Sequence, residues 1–129
     1  YEYVRATNEK SKALNDVSIG KQLMYLPANH FSSALQITYR NFYIAGNYQL
    51  TDLVFTATDH SSYLPAYDLV TATVGSRINL KSSFGDIFFR VNNLLGKEYQ
   101  AVAWRPMPGR SFQLGLTIEL HSPFKEKQP

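Results

Sequence analysis

Three histidines, His30, His60 and His121, are the side chains of this 129-residue sequence best suited to hold a metal or relay a proton. None has a second His or a carboxylate at metal spacing, apart from His60, which follows Asp59. Adjacent residues on an extended chain project to opposite faces, so Asp59-His60 is a poor chelate, and no metal site is expected. Ser61 and Ser62 complete the residue types of a nucleophilic triad there. No nucleophile elbow or oxyanion glycine accompanies them, and the stretch reads as a loop. The absence of cysteine removes disulfides, thiolate ligands and a Cys nucleophile together. The only run that resembles an anion loop, GDIFFR from Gly85, has no helix after it to bind a phosphate. Neither an enzyme nor a cofactor is expected.

What remains is recognition. Tyr63, Tyr99, Trp104 and Arg105 combine aromatic faces with a cation, a set that suits a planar or anionic ligand. The same aromatics could instead pack long loops against each other, and both readings stand.

Composition sets the frame for these residues. One domain fits the length, and 44% hydrophobic residues exclude a disordered tail. The net charge of +3 is spread thinly, with no block of like charges, so no nucleic-acid surface is indicated. The sequence opens at Tyr1 with no charged region and apolar stretch of a signal peptide, and reads as an internal or processed piece. No apolar run reaches the length of a membrane helix, which leaves open a membrane strand, whose signal is alternation.

Alternation is the dominant pattern. Phe31, Ser33, Leu35, Ile37 and Tyr39 share one phase, opposite Ser32, Ala34, Gln36, Thr38 and Arg40. Phe112, Leu114, Leu116, Ile118 and Leu120 repeat it, opposite Ser111, Gln113, Gly115, Thr117 and Glu119. A period of two over ten residues is a strand. Six antiparallel strands are predicted, at about residues 1–7, 31–40, 43–56, 66–78, 84–93 and 110–120, with a bulge near Asp52 where the phase of the third shifts. The connections alternate between long and short, which in an up-and-down meander gathers all long loops at one end. Phe31, Tyr39, Phe42, Tyr67 and Phe84 lie at strand ends, where an aromatic girdle belongs. The second face is mostly Ser, Thr, Gln, Asn and Gly, unlike the charge-rich outer face of a soluble sandwich. Six strands fall short of the roughly eight that close the smallest membrane barrels, so a section of wall with two open edges is expected, its missing strands before Tyr1.

Three runs carry a family likeness. LPAYDLVTATVGSRI from Leu64, FFRVNNLLGKEY from Phe88 and MPGRSFQLGLTIEL from Met107 resemble, in order and spacing, the C-terminal strands of TonB-dependent outer-membrane receptors. LPANH from Leu26 is similar to that family's lead into a descending strand. The residues that carry the likeness are Pro65, Tyr67, Asn92, Asn93, Tyr99, Pro108, Gly109 and Arg110. Asn92 and Asn93 are read as satisfying turn backbone groups at a strand top and Pro108-Gly109 as a turn in which Gly109 permits positive φ, while Arg110 braces the loop in the family's pattern, its other reading being a lumen or loop cation that meets an anionic ligand.

The resemblance implies the C-terminal part of a 22-stranded transmembrane barrel (residues 1–120) in the outer membrane of a Gram-negative bacterium. It implies energy-coupled uptake of a scarce nutrient, whether an iron chelate, haem, cobalamin or a glycan. The partners it implies are the remaining barrel strands, a plug domain, the TonB system reached through a segment before Tyr1, and the bilayer. The chain departs from the family at its end, where Leu120 stands in place of a final aromatic residue and a tail, 121–129, follows with Phe124 as its one aromatic. The alternative from a different class is a self-contained soluble all-β domain that binds a ligand or a protein.

Overall fold

A computed structural model describes residues 1–10, 16–80 and 83–120; the tail 121–129, with His121 and Phe124, lies outside the described residues. The fold is all-β and antiparallel. Its strands are β1 (Glu2–Tyr3), β2 (Asn29–Tyr39), β3 (Phe42–Thr51), β4 (Val54–Phe55), β5 (Tyr63–Leu64), β6 (Tyr67–Leu80), β7 (Ser83–Asn92) and β8 (Ser111–Leu120). Six of them form one sheet in the order β1-β2-β3-β6-β7-β8, a meander, and β4 and β5 form a separate two-stranded ladder. Among the described residues there is no helix.

The predicted strands at 31–40, 66–78, 84–93 and 110–120 agree with β2, β6, β7 and β8 to within two residues. Two other expectations are corrected. The strand predicted over residues 1–7 shrinks to Glu2–Tyr3, paired with His30 and Asn29, and one further bond from Val4 N to Ala28 O. The next ladder position falls on Ala6, whose N–H donates instead to Gln22 Oε1 at 3.1 Å and whose carbonyl accepts from Leu23 N at 2.8 Å. The chain then turns away, and Thr7 bridges Gln22 instead.

The bulge near Asp52 is the second correction. The β2–β3 ladder runs without interruption to His30↔Thr51 and then ends. Asp52 is where the chain leaves the sheet: its Oδ1 accepts the Leu53 N–H at 2.8 Å and its Oδ2 accepts the Asn29 side-chain amide at 2.7 Å. A side chain that captures the next backbone donor competes with ladder formation. Val54 and Phe55 then pair with Leu64 and Tyr63, so the changed phase belongs to a different ladder.

Register decides which residues share a face, because direct partners in an antiparallel pair lie on the same side. Ile37 pairs with Ile44, Ile44 with Val74, Val74 with Phe89, and Phe89 with Leu114. These five apolar side chains make a continuous row across β2, β3, β6, β7 and β8, and all five are exposed. The next rung toward the short turns holds Tyr39, Phe42, Ser76, Ile87 and Leu116. Toward the long loops the same face carries Phe31, Tyr48 and Phe112. Phe84 and Tyr67 fall on the opposite face, which corrects their place in the expected girdle.

That opposite face is tiled rather than bare. Tyr43 lies over Gly75 and Phe88 over Gly115, where any added Cβ would meet the aromatic ring. Arg77 sits 5.9 Å from the Tyr43 ring centre and Arg90 sits 5.2 Å from that of Phe88. Arg90 Nε also donates to Thr73 Oγ1 at 3.1 Å, which helps to bury Thr73. The arrangement keeps few charges and many hydroxyl, amide and aromatic groups on this side.

Among the described residues no layer covers either face of the sheet. Among the described residues no side chain is fully buried, and the buried apolar ones, Val54 and Leu64, belong to the small β4–β5 ladder outside the main sheet. The chain exposes 10357 Å², against about 6900 Å² for a folded monomer of this mass. A two-layer domain buries the apolar side of its sheet; this one leaves it open.

Candidate functional site in the long loops

The meander sends the β1–β2, β3–β6 and β7–β8 connections to one end of the sheet and the turn at 40–41 and the β6–β7 connection to the other. The first two long loops are fastened to each other. Tyr25 N donates to Phe55 O at 2.9 Å, and Lys21 Nζ donates to Asp59 O at 2.6 Å. His60 stacks on Phe55 with ring centres 3.6 Å apart and places Nε2 at 2.9 Å from Gln22 O, so that nitrogen is the protonated donor. His60 is thereby engaged as a loop clasp. Its neighbour Asp59 turns to Ser61, whose N–H and hydroxyl donate to Oδ1 at 3.1 and 2.6 Å. These bonds hold the Asp59 carboxyl below its ordinary pKa. His30 is part of β2 rather than a loop and contacts Thr51 Oγ1 at 3.3 Å. The described residues contain no group of three or more His, Cys, Asp or Glu able to hold a metal ion.

The third long loop is built on Asn93. This residue follows β7 with φ 48, a left-handed conformation that Asn tolerates better than most residues. Its side chain accepts from Lys97 N at 2.9 Å and donates to Lys97 O at 2.8 Å, closing the first loop turn. Gly96, at φ 66, completes that turn, and the Arg110 guanidinium packs against it. Arg110 therefore lies on the loop whose other end it starts from. Lys97 reaches back to β6 and pairs with Asp68. Asn92, expected to serve turn backbone, instead donates from its side chain to Ser111 Oγ across the β7–β8 pair at 3.3 Å. Gly109, expected at positive φ, is not there; Gly96 takes that role.

The residues that carried the likeness converge. Tyr67 at the start of β6 meets Tyr99 from the third loop, ring centres 4.6 Å apart. Burial, and the neighbouring Tyr67, push the Tyr99 hydroxyl above its ordinary pKa. Pro65, Tyr99 and Gly109, from three separate stretches of sequence, line one cleft of about 640 Å³ together with Leu64, Gln100 and Met107. Lys97 and Glu98 stand at the same cleft. A volume in this range is ordinary for a small-molecule site.

Of the four residues proposed from sequence to touch a ligand, only Tyr99 lines this cleft. Tyr63 projects from β5 and is 60% exposed. Trp104 is 94% exposed at the tip of a tight turn closed by Arg105 N donating to Val102 O at 3.1 Å, with Trp104 itself at φ 64. Arg105 is exposed beside it. Trp104 is therefore not a loop-packing residue, whereas Tyr99 is. Gln100 and Met107 had no sequence signal beyond lying between motif residues.

No family model matches the chain, and no curated protein sequence matches it.

Proposed function

We propose that this chain is a section of transmembrane β-barrel wall, the C-terminal part of a 22-stranded TonB-dependent receptor in a Gram-negative outer membrane. The observation that carries the reading is the exposed apolar row Ile37, Ile44, Val74, Phe89 and Leu114 on an uncovered single-layer sheet. Water is a poor solvent for such a face and lipid a good one. Aromatic residues bound it: the Tyr39–Phe42 rung toward the turns, and toward the loops Phe31 and Tyr48, diagonal neighbours with ring centres 6.2 Å apart. The eight steps from Tyr39 back to Phe31 span about 27 Å of strand, or about 20 Å of height at the tilt of a membrane barrel, close to the outward apolar band of such barrels.

Two further features favour the family. All long loops leave from one end, and motif residues far apart in sequence meet at one cleft there. On this reading the polar face looks into the lumen and the plug, the apolar face meets the bilayer, and the loop cleft contributes to the site for an imported iron chelate, haem, cobalamin or glycan. The TonB system acts through the plug side of the whole receptor.

The test is folding into lipid. Joined to the strands that close its two edges, the chain should insert into phospholipid vesicles as β-structure whose strands tilt about 35–45° from the bilayer normal by polarised infrared spectroscopy. A compact, stable monomer in detergent-free buffer, seen by sedimentation, would instead favour a self-contained soluble all-β binding domain.

A further inference from the structure

We propose that Arg40, at the short-turn end of the sheet, binds the phosphate of an anionic phospholipid headgroup. The inference rests on the transmembrane reading above and concerns a residue to which that reading gives no role. Arg40 and Asn41 form the two-residue turn between Tyr39 and Phe42, with Arg40 at φ 52. That turn closes the last rung of the apolar face, and both flanking aromatics are largely exposed, Tyr39 at 69% and Phe42 at 65%.

Alternation along the strand would put Arg40 with Gln36 and Thr38 on the polar side. The turn changes this: the Arg40 guanidinium lies over the Tyr39 ring, 5.4 Å from its centre, and Tyr39 belongs to the apolar face. Arg40 also borders a hollow of about 490 Å³ at the turn end of the polar face, where Arg77, Asp86 and Glu119 are the other charged groups. Asp86 is taken by the Tyr43 hydroxyl, and among the described residues the one ion pair is Lys97 with Asp68. Among the described residues Arg40 thus has a ring to hold its plane and makes no ion pair, with Glu119 the remaining carboxylate of the hollow.

In a membrane the Tyr39–Phe42 rung marks the depth where hydrocarbon gives way to headgroups. A guanidinium at that depth keeps its stem in the apolar zone and its donors in the polar one. Its fork matches two oxygens of a phosphate, and the aromatic face beneath it leaves the outward N–H groups free for that contact. Arg77, by contrast, lies over Tyr43 on the polar face and cannot reach lipid on this reading.

The test takes the chain joined to the strands that close its two edges, and compares its folded-to-unfolded ratio in phosphatidylcholine vesicles with that in vesicles containing about one-fifth phosphatidylglycerol. The parent should favour the anionic vesicles. Arg40→Gln should lower that preference about fivefold, the worth of one basic residue at an anionic surface. Arg77→Gln should leave it unchanged. Added inorganic phosphate at constant ionic strength should not abolish the Arg40 effect; if it does, the site takes free phosphate and the lipid assignment is overturned. Insertion with equal preference in parent and Arg40→Gln overturns the inference while leaving the transmembrane reading intact. Failure to insert in either vesicle removes both.

Discussion

The Tyr43 hydroxyl donates to Asp86 Oδ2 at 3.0 Å, a bond that joins β3 to β7 over the intervening strand β6. It exists because residue 75 on β6 is glycine, and the Tyr43 ring occupies the space above it. Neutral aromatic, glycine and carboxylate together fix the register of three strands on a face with no packed layer.

Gly75→Ala should therefore be costly. The new Cβ would fall within the Tyr43 ring, and displacing it should destabilise the folded chain by about 1–3 kcal/mol. Gly46→Ala is the contrast: nothing lies within 4 Å of its Cβ, and alanine should be neutral or stabilising there. Tyr43→Phe, which removes only the hydroxyl, should cost about 1 kcal/mol. Denaturant titration of the chain folded in detergent measures all three, and equal effects at 75 and 46 would contradict the described register.

The two faces of β8 should respond oppositely to charge. Leu116 is on the apolar rung with Ile87, and Thr117 opposes Asp86 on the polar face. Lysine at Leu116 should cost about 2–4 kcal/mol in a bilayer and at Thr117 little. Refolding titrations in lipid vesicles give both penalties, and equal values would exclude a lipid-facing side.

Asn93 should control the third loop. Asn93→Ala removes both bonds to the Lys97 backbone and places alanine at φ 48, for a combined local cost of about 2–3 kcal/mol. Asn93→Gly should recover the backbone part alone. Hydrogen exchange at the Lys97 amide reports the loss directly, with faster exchange expected in the order wild type, Gly, Ala.

Acid should loosen the second loop through Asp59. Ser61 bonds depress its pKa in the folded chain below the ordinary 3.8. A carboxyl depressed on folding contributes stability that is present above its unfolded pKa and is lost as pH falls through the folded value. The 57–62 turn should thus hold at neutral pH and weaken only below about pH 3.8. Ser61→Ala should raise the Asp59 pKa toward 3.8 in a carboxyl NMR titration; an unchanged value would show that the Ser61 bonds do not act in solution.

Strand existence and face were legible in the sequence of β2, β6, β7 and β8, because a period of two survives wherever one face must be apolar along its length. From that pattern alone came the meander, the two classes of connection and the contrast between an apolar and a neutral polar side. The strand predicted over residues 1–7 and the bulge at Asp52 differ from the structure for one reason: each ends through a competing bond that periodicity does not encode, whether the Gln22 side chain that takes Ala6 N–H or a carboxylate that captures Leu53 N–H. Pairing across strands, which joins Ile37 to Leu114 through three intermediates, depends on register and so on all five strands at once. The loop cleft is a tertiary product in the same sense. Pro65 is separated in the chain from Tyr99 and Gly109 by β6 and β7, and only folding the meander brings those strand ends side by side. Whether an aromatic residue packs or projects was likewise undecidable from its type: Tyr99 meets Tyr67, while Trp104 stands in solvent on a left-handed turn.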